Sequence, residues 1–318
     1  MNLANRVGFA IGTGRCGTLF LHQVTAKEPH VASSHERNPD NEAFHRYCKW
    51  NRLPVDDAGF LDAKEAEILV DLENRAYSFE ASPYLALSAK ELHERFGAKF
   101  LFLVRRPDGV VTSFVHKGFY RHPYSVQNVE LAAGYQNPGS GKFFTYLARI
   151  APRGDFFTTW NGLTQVGKVA WFWNALNRKT LDLIESLPGE CCQTVRIEDL
   201  DYRKYGELCQ FLGFRSGVTE ADFEALRLSK PHAFWSKRTL DAWTPQEIGE
   251  FESQVAEMAE RFGYPYRVAD LVDEARAERE ASVQQGRVPS TKSTPRLWRA
   301  RRATAEWLRA AAKSVDVG

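Results

Sequence analysis

Short apolar runs alternate with longer mixed segments along this chain, and the alternation outlines an architecture. Val7 to Ile11 is an apolar run that ends in GTGRCG, and a helical pattern follows from Thr18 to Lys27. His30 to Ser34 reads as a second strand, residues 36–75 as polar loop and helix, and Ser78-Phe79-Glu80 as the end of a third strand. Pro83 suits a first helical turn, and the pattern behind it predicts a helix to Phe96 with Gly97 as its stop. Lys99 to Val104 (KFLFLV) is the clearest buried strand, short and continuously apolar, and Pro107 then opens a helix to Lys117.

Residues 118–161, rich in Gly, Pro, Asn and aromatics, break the rhythm and read as an irregular insertion. A long helix is expected behind it, with Val166, Val169, Trp173, Leu176, Thr180, Leu183 and Leu187 at helical spacing. Cys192 to Ile197 is the next strand, followed by helices near 202–212 and 245–262. Strands separated by helix-length segments cannot pair as hairpins, so the fold class expected is α/β, a central parallel sheet with helices on both faces. After Arg279 the composition shifts to a Ser, Gln, Gly, Pro and Thr linker over 280–295, and residues 296–318 carry a basic helical tail.

Composition narrows the partners. The chain has 318 residues, 43% hydrophobic and 26% charged, which is ordinary for a globular protein. Its net charge of +2 gives no ground for nucleic-acid binding. From Val283 onward eight Lys and Arg face only Glu306 and Asp316, so the tail carries +6 and the body −4. Any basic site in the body is therefore built locally. The tail helix, with Leu297, Ala300, Leu308 and Ala311 on one face and Trp298 and Trp307 at its margins, suits either an anionic membrane surface or the acidic body itself. The five cysteines and eight histidines show no disulfide framework and no ligand spacing, so no metal is expected. No signal peptide precedes the first strand and no apolar run reaches membrane-spanning length, from which a cytoplasmic location is expected.

The chemistry begins at the strand-to-helix turn Gly12-Thr13-Gly14-Arg15-Cys16-Gly17-Thr18-Leu19. Glycines let the backbone approach a phosphate, and the helix behind them points unpaired N–H groups at it. The turn matches the dinucleotide fingerprint GxGxxG, with Glu36 near the ribose-binding position, and it keeps the outer glycines of a Walker loop while placing Thr18 where the lysine belongs. Arg15 favours a more highly charged ligand than a dinucleotide, because a guanidinium forms strong charge-assisted pairs with phosphate.

GTGRCGTLFL resembles the 5′-phosphosulfate loop of sulfotransferases that use 3′-phosphoadenosine 5′-phosphosulfate (PAPS). Their second motif, a strand ending in Arg, a Pro two residues on and a Ser eight residues after the Arg, has its counterpart in Arg105, Pro107 and Ser113. Arg105 at a strand end and Ser113 two turns into a helix can reach one phosphate, which the resemblance implies is the 3′-phosphate. Glu80-Ala81-Ser82-Pro83-Tyr84 is similar to the family's EKTP segment, with Ala81 where a lysine is common. Val195 to Leu200 is similar to the strand ending in YEDL, a scaffold element, and Lys237-Arg238 resembles the basic loop that closes over the 3′-phosphate. The resemblance spans residues 7–265 and implies a P-loop-like sulfotransferase domain over 1–279.

The activity so implied is in-line transfer of a sulfuryl group to a hydroxyl or amine of a small-molecule, glycan or lipid acceptor, leaving the nucleotide 3′-phosphoadenosine 5′-phosphate (PAP). Arg15 and the turn N–H groups would meet the charge on the leaving oxygen, and His35 or Glu36 would serve as general base, Glu36 being preferred because related bacterial enzymes carry a glutamate near this offset. Two other classes compete: an NAD(P)-binding Rossmann oxidoreductase, and a non-catalytic scaffold with a degenerate sulfotransferase fold. Phe119, Tyr120, Tyr124, Tyr135, Phe143, Phe144, Tyr146 and Trp160 in the insertion suit either an acceptor pocket or a satellite core.

Overall fold

The computed structural model describes residues 3–121, 150–229, 240–274 and 277. The chain divides after Leu271, and the fold below is that of the first unit. The linker over 280–295, the basic tail over 296–318 and the pair Lys237-Arg238 lie outside the described residues, as do Tyr124, Tyr135, Phe143, Phe144 and Tyr146.

Among the described residues five parallel strands form the sheet: β1 (Val7–Gly12), β2 (Val31–His35), β3 (Tyr77–Ala81), β4 (Lys99–Val104) and β5 (Cys192–Arg196), in the order β2-β3-β1-β4-β5. Central β1 pairs with β3 in the register Val7↔Ser78 and with β4 in the register Gly8↔Lys99. The outer strands follow in parallel, Val31↔Tyr77 and Phe100↔Cys192. This order departs from the 3-2-1-4-5 arrangement of the dinucleotide fold, in which β1 lies beside β2, and it removes the topological basis of the Rossmann reading.

The α-helices of the described residues are α1 (Thr18–Thr25), α2 (Pro39–Asn51), α3 (Asp57–Asn74), α4 (Ala89–Phe96), α5 (Pro107–His116), α6 (Phe156–Asn161), α7 (Gln165–Glu185), α8 (Tyr202–Leu212), α9 (Glu220–Ser229) and α10 (Pro245–Phe262). The strands' alternation assigns each face its helices. Ala10, Phe79, Leu101 and Leu103 pack with Leu21, Val24, Tyr205, Leu208 and Phe223 of α1, α8 and α9. The other face stacks Phe9 on Phe100 at 5.8 Å and sets Phe102 against Phe262 of α10, which meets Trp173 of α7. Phe100 is fully buried, so Phe100→Ala costs about 3–5 kcal/mol through lost transfer energy and the cavity left behind.

Two elements differ from the sequence reading. The helix expected from Pro83 to Phe96 is a 3-10 turn, Pro83–Leu87, then a break at Ser88 and α4. The break has a tertiary cause: buried Ser88 shares a hydrogen bond with His45 Nδ1 at 2.8 Å. Helix α9 was not anticipated; its pattern is weak because Phe223 is its one buried side chain. Of the insertion, read as irregular, the described flanks include helix α6 and are buried only in part: Tyr120 and Trp160 are in the core, their rings edge-on at 5.4 Å, and Trp160 packs on Trp171.

Candidate functional site

All strands being parallel, their C-terminal ends share one edge of the sheet, and β1, β2 and β4 deliver the candidate residues there. The glycine turn leaves β1 with φ values of 82° at Gly14, 58° at Arg15 and 103° at Gly17. A Cβ on Gly17 would lie 2.5 Å from Ile197 Cδ1, and one on Gly12 would lie 2.5 Å from the Leu103 carbonyl oxygen. The turn is thus held against both β4 and the segment after β5. Helix α1 starts at Gly17 with no side-chain cap and no acidic residue in its first turn, which leaves its terminal N–H groups for a ligand. The side chains of the turn divide in role. Thr13 is buried and bonded to the Gly14 carbonyl, Cys16 is fully buried with its thiol pKa pushed up by burial, and half-buried Leu19 offers no polar group. These three contribute backbone only.

Arg15, Ser113 and Arg105 come together at the mouth of the turn. Arg15 Nε donates to Ser113 Oγ at 2.9 Å, and Arg105 Nη1 donates to the Arg15 carbonyl at 2.9 Å. Burial first, then the charge of Arg105, lowers the pKa of Arg15. Trp173 Nε1 fixes the Arg105 carbonyl at 3.1 Å. The neighbouring Arg106 is directed elsewhere: its Nε pairs with Asp108 at 3.1 Å, and its backbone N–H donates to Glu198, which also accepts from Tyr264. Glu198 and Ile197, from the segment resembling YEDL, brace the strand end and the glycine turn.

His35 ends β2, with Nε2 3.2 Å from Thr18 Oγ1 and 3.9 Å from Glu36 Oε1. Glu36 adopts a left-handed φ of 49° while its N–H reaches the Ala81 carbonyl. Burial, then the charge of Glu42, raises the Glu36 pKa above the ordinary carboxylate range, with Lys117, Arg46 and Arg15 opposing. Lys117, at the end of α5, has its own pKa lowered by burial and by Arg15. Arg46 is wholly buried, donating to the Pro83 carbonyl at 3.3 Å with its guanidinium 4.7 Å from the Tyr84 ring centroid. Neither Lys117 nor Arg46 was singled out from sequence. Arg37, the residue after Glu36, grips Asp71 with two bonds of 2.7 and 2.8 Å.

The loop that carries Glu36 is tied to a buried charge cluster. Arg37 N donates to Glu80 Oε1 at 3.0 Å and Asn38 N to Glu42 Oε1 at 3.1 Å. Between these carboxylates lies Lys64 from α3, bonded to Glu42, to Glu67 at 2.8 Å and to Glu80 at 2.9 Å. Burial and Glu42 push the Glu80 carboxyl up to about 8, while Lys64 and Ser82 hold Glu42 below the usual range. No group of His, Cys, Asp and Glu among the described residues is arranged to hold a metal ion, and no described helix is long and apolar enough to cross a membrane.

No family model matches the chain, and no curated protein does. Solved structures do. Sulfotransferase STF9 from Mycobacterium avium is 13% identical, with a TM-score of 0.51, the match covering 84% of this chain and 79% of that one. The sulfotransferase domain of the Synechococcus PCC 7002 olefin synthase is 17% identical over 83% of this chain and 97% of its own, with a TM-score of 0.43. The sulfotransferase domain from the curacin biosynthetic pathway is 16% identical over 83% and 99%, with a TM-score of 0.45. The likeness to STF9 shows that the chain has the sulfotransferase fold.

Proposed function

We propose that this protein transfers a sulfuryl group from PAPS to a hydroxyl or amine of an acceptor. The observation that carries the reading is the convergence of Arg15, Arg105 and Ser113 on the uncapped start of α1. Two guanidiniums, a hydroxyl and a row of backbone N–H groups suit a ligand with two separate anionic ends. In a body whose net charge is −4 by sequence, that concentration of positive charge is built locally.

Bound there, the nucleotide would supply an activated sulfuryl group on a phosphate leaving group. Arg105 and Ser113 would hold the 3′-phosphate, and the turn backbone with Arg15 would hold the 5′ end. Arg15 and the first N–H groups of α1 would offer donors to the charge that develops on the leaving oxygen. Glu36, whose raised pKa makes it a better proton acceptor than an ordinary carboxylate, would take the acceptor's proton. His35 would orient Thr18 and the end of β2 from its 3.2 Å contact.

The test is a pair of measurements on the full chain: thermal shift with PAP against NAD(P), and label transfer from sulfur-labelled PAPS to a panel of sugars, lipids, phenols and peptides. Stabilisation by PAP alone together with a labelled product is the expected result. NAD(P) matching PAP, or no labelled product from any acceptor, would sink the reading.

A further inference from the structure

A basic hollow at the far end of α2 stands outside the site described above. Trp50, Arg52, Arg153, Gly154 and Lys179 line about 560 Å³ there. Helix α2 starts three residues beyond Glu36 and has 13 residues, so the hollow opens roughly 20 Å from Glu36 along the helix at about 1.5 Å per residue. None of its residues belongs to the glycine turn, to β4 or to α5.

The walls are held in place by defined contacts. Trp50 Nε1 donates to the Ala151 carbonyl at 2.8 Å, and its ring meets Trp171 edge-on at 5.9 Å. Lys179 Nζ lies 4.9 Å from the Trp50 ring centroid. Arg153 Nη1 donates to the Asn51 carbonyl at the end of α2, which anchors one arm of its guanidinium and leaves the other donors for a ligand. Arg52 closes α2 in a left-handed conformation, with its side chain exposed.

Among the described residues, Arg52, Arg153 and Lys179 have no carboxylate in an ion pair. Burial and then the charge of Arg52 lower the Lys179 pKa, so these like charges oppose one another. An anion seated between them would relieve that repulsion and satisfy the free guanidinium donors. One carboxylate would neutralise one of three cations; a phosphate ester or pyrophosphate matches the charge and the forked geometry better. The indole face offers a flat wall for the remainder of such a ligand.

We propose that this hollow is a second anion site, which takes a small, multiply charged oxyanion of the phosphate-ester or pyrophosphate class against Trp50. Calorimetric titration of the full chain with inorganic pyrophosphate, under saturating PAP and near-physiological salt, tests it. The expected result is saturable binding that Lys179→Met and Arg153→Met each weaken about tenfold or more, the loss of one charge-assisted contact. Arg52→Gln, at an exposed side chain, gives a loss in the same direction and keeps the test readable if a half-buried variant folds poorly. Arg203→Met, on the opposite helix layer, leaves the isotherm unchanged. Repeating the titration without PAP separates this site from the sulfuryl-transfer reading: dependence on Lys179 persists even if PAP does not bind. Absence of saturable binding, or binding indifferent to all three hollow variants, overturns the proposal.

Discussion

Arg15 and Ser113 lie 98 positions apart in the chain, and Arg15 Nε donates to Ser113 Oγ at 2.9 Å. The glycine turn and helix α5 therefore build one site. Arg105 completes it through the Arg15 carbonyl. Arg105→Ala is expected to weaken PAP binding about tenfold to a hundredfold, the loss of a charge-assisted hydrogen bond, with a smaller loss for the 3′-dephosphorylated nucleotide. Arg105→Lys would not restore affinity, because one ammonium cannot hold the Arg15 carbonyl and a phosphate in the guanidinium's fork. Calorimetry with both nucleotides reads the difference; equal losses would show that Arg105 does not read the 3′-phosphate.

Glu36 faces His35, Arg15, Arg46, Glu42 and Lys117. If Glu36 is the general base it must be ionised to work, so its raised pKa in the ligand-free protein would place the acid limb of kcat/KM above the ordinary carboxylate range. Glu36→Gln should lower kcat on the order of a hundredfold to ten-thousandfold and leave nucleotide affinity close to wild type. Lys117→Met removes a charge that favours the carboxylate, so the acid limb moves to still higher pH. A limb that stays put in Lys117→Met would break the electrostatic link between the two residues.

Gly17→Ala meets two obstacles, a φ of 103° and a Cβ 2.5 Å from Ile197 Cδ1. Each costs about 1–3 kcal/mol. Ile197→Ala in the same chain relieves only the second, so denaturant melts should show partial rescue. Full rescue would mean that the backbone conformation carries no strain.

Glu80, pushed up to about 8, is largely protonated at neutral pH, so Lys64→Met leaves the Glu42 carboxylate buried without its cation and should cost about 3–5 kcal/mol there. The folded-state pKa of Lys64 is raised, so its contribution is present throughout neutral pH and fades only as pH climbs past the lysine range. In the variant the bereft carboxylate takes up a proton more readily, so the deficit against wild type shrinks as pH falls. A deficit independent of pH would indicate lost packing instead of lost charge.

These residues mark where the sequence was legible. KFLFLV announces β4 because a strand buried on both faces must be continuously apolar, and it places Arg105 at the strand end without further information. The motif spacing picks Arg105 and not Arg106 from sequence; the fold adds that Asp108 and Glu198 engage the second arginine. The fold class and the sheet's parallel sense followed from the spacing of strands; its order, with β3 inside β2, did not. Lys64 on α3 reads as a solvated lysine, and nothing local says that two distant carboxylates enclose it. Lys117 and Arg46 were invisible for the same reason: their relevance is a distance to Glu36, and distances across crossovers are not encoded in local pattern. Ser88 misled outright, because a serine inside a helical pattern gives no warning that His45 will claim its hydroxyl.

Central β1 spans Val7–Gly12, yet its two neighbours in the sheet are Tyr77–Ala81 and Lys99–Val104. During synthesis this apolar segment is made before both of its partners and waits for them. At roughly 5–20 residues per second, its edges stay unpaired for about 3 to 18 s after translation of Gly12. The nascent chain thus carries an aggregation-prone stretch through the whole manufacture of α1, β2, α2 and α3. A ribosome-associated holdase that shields short apolar segments should raise its soluble yield, and slower elongation before Lys99 should lower it.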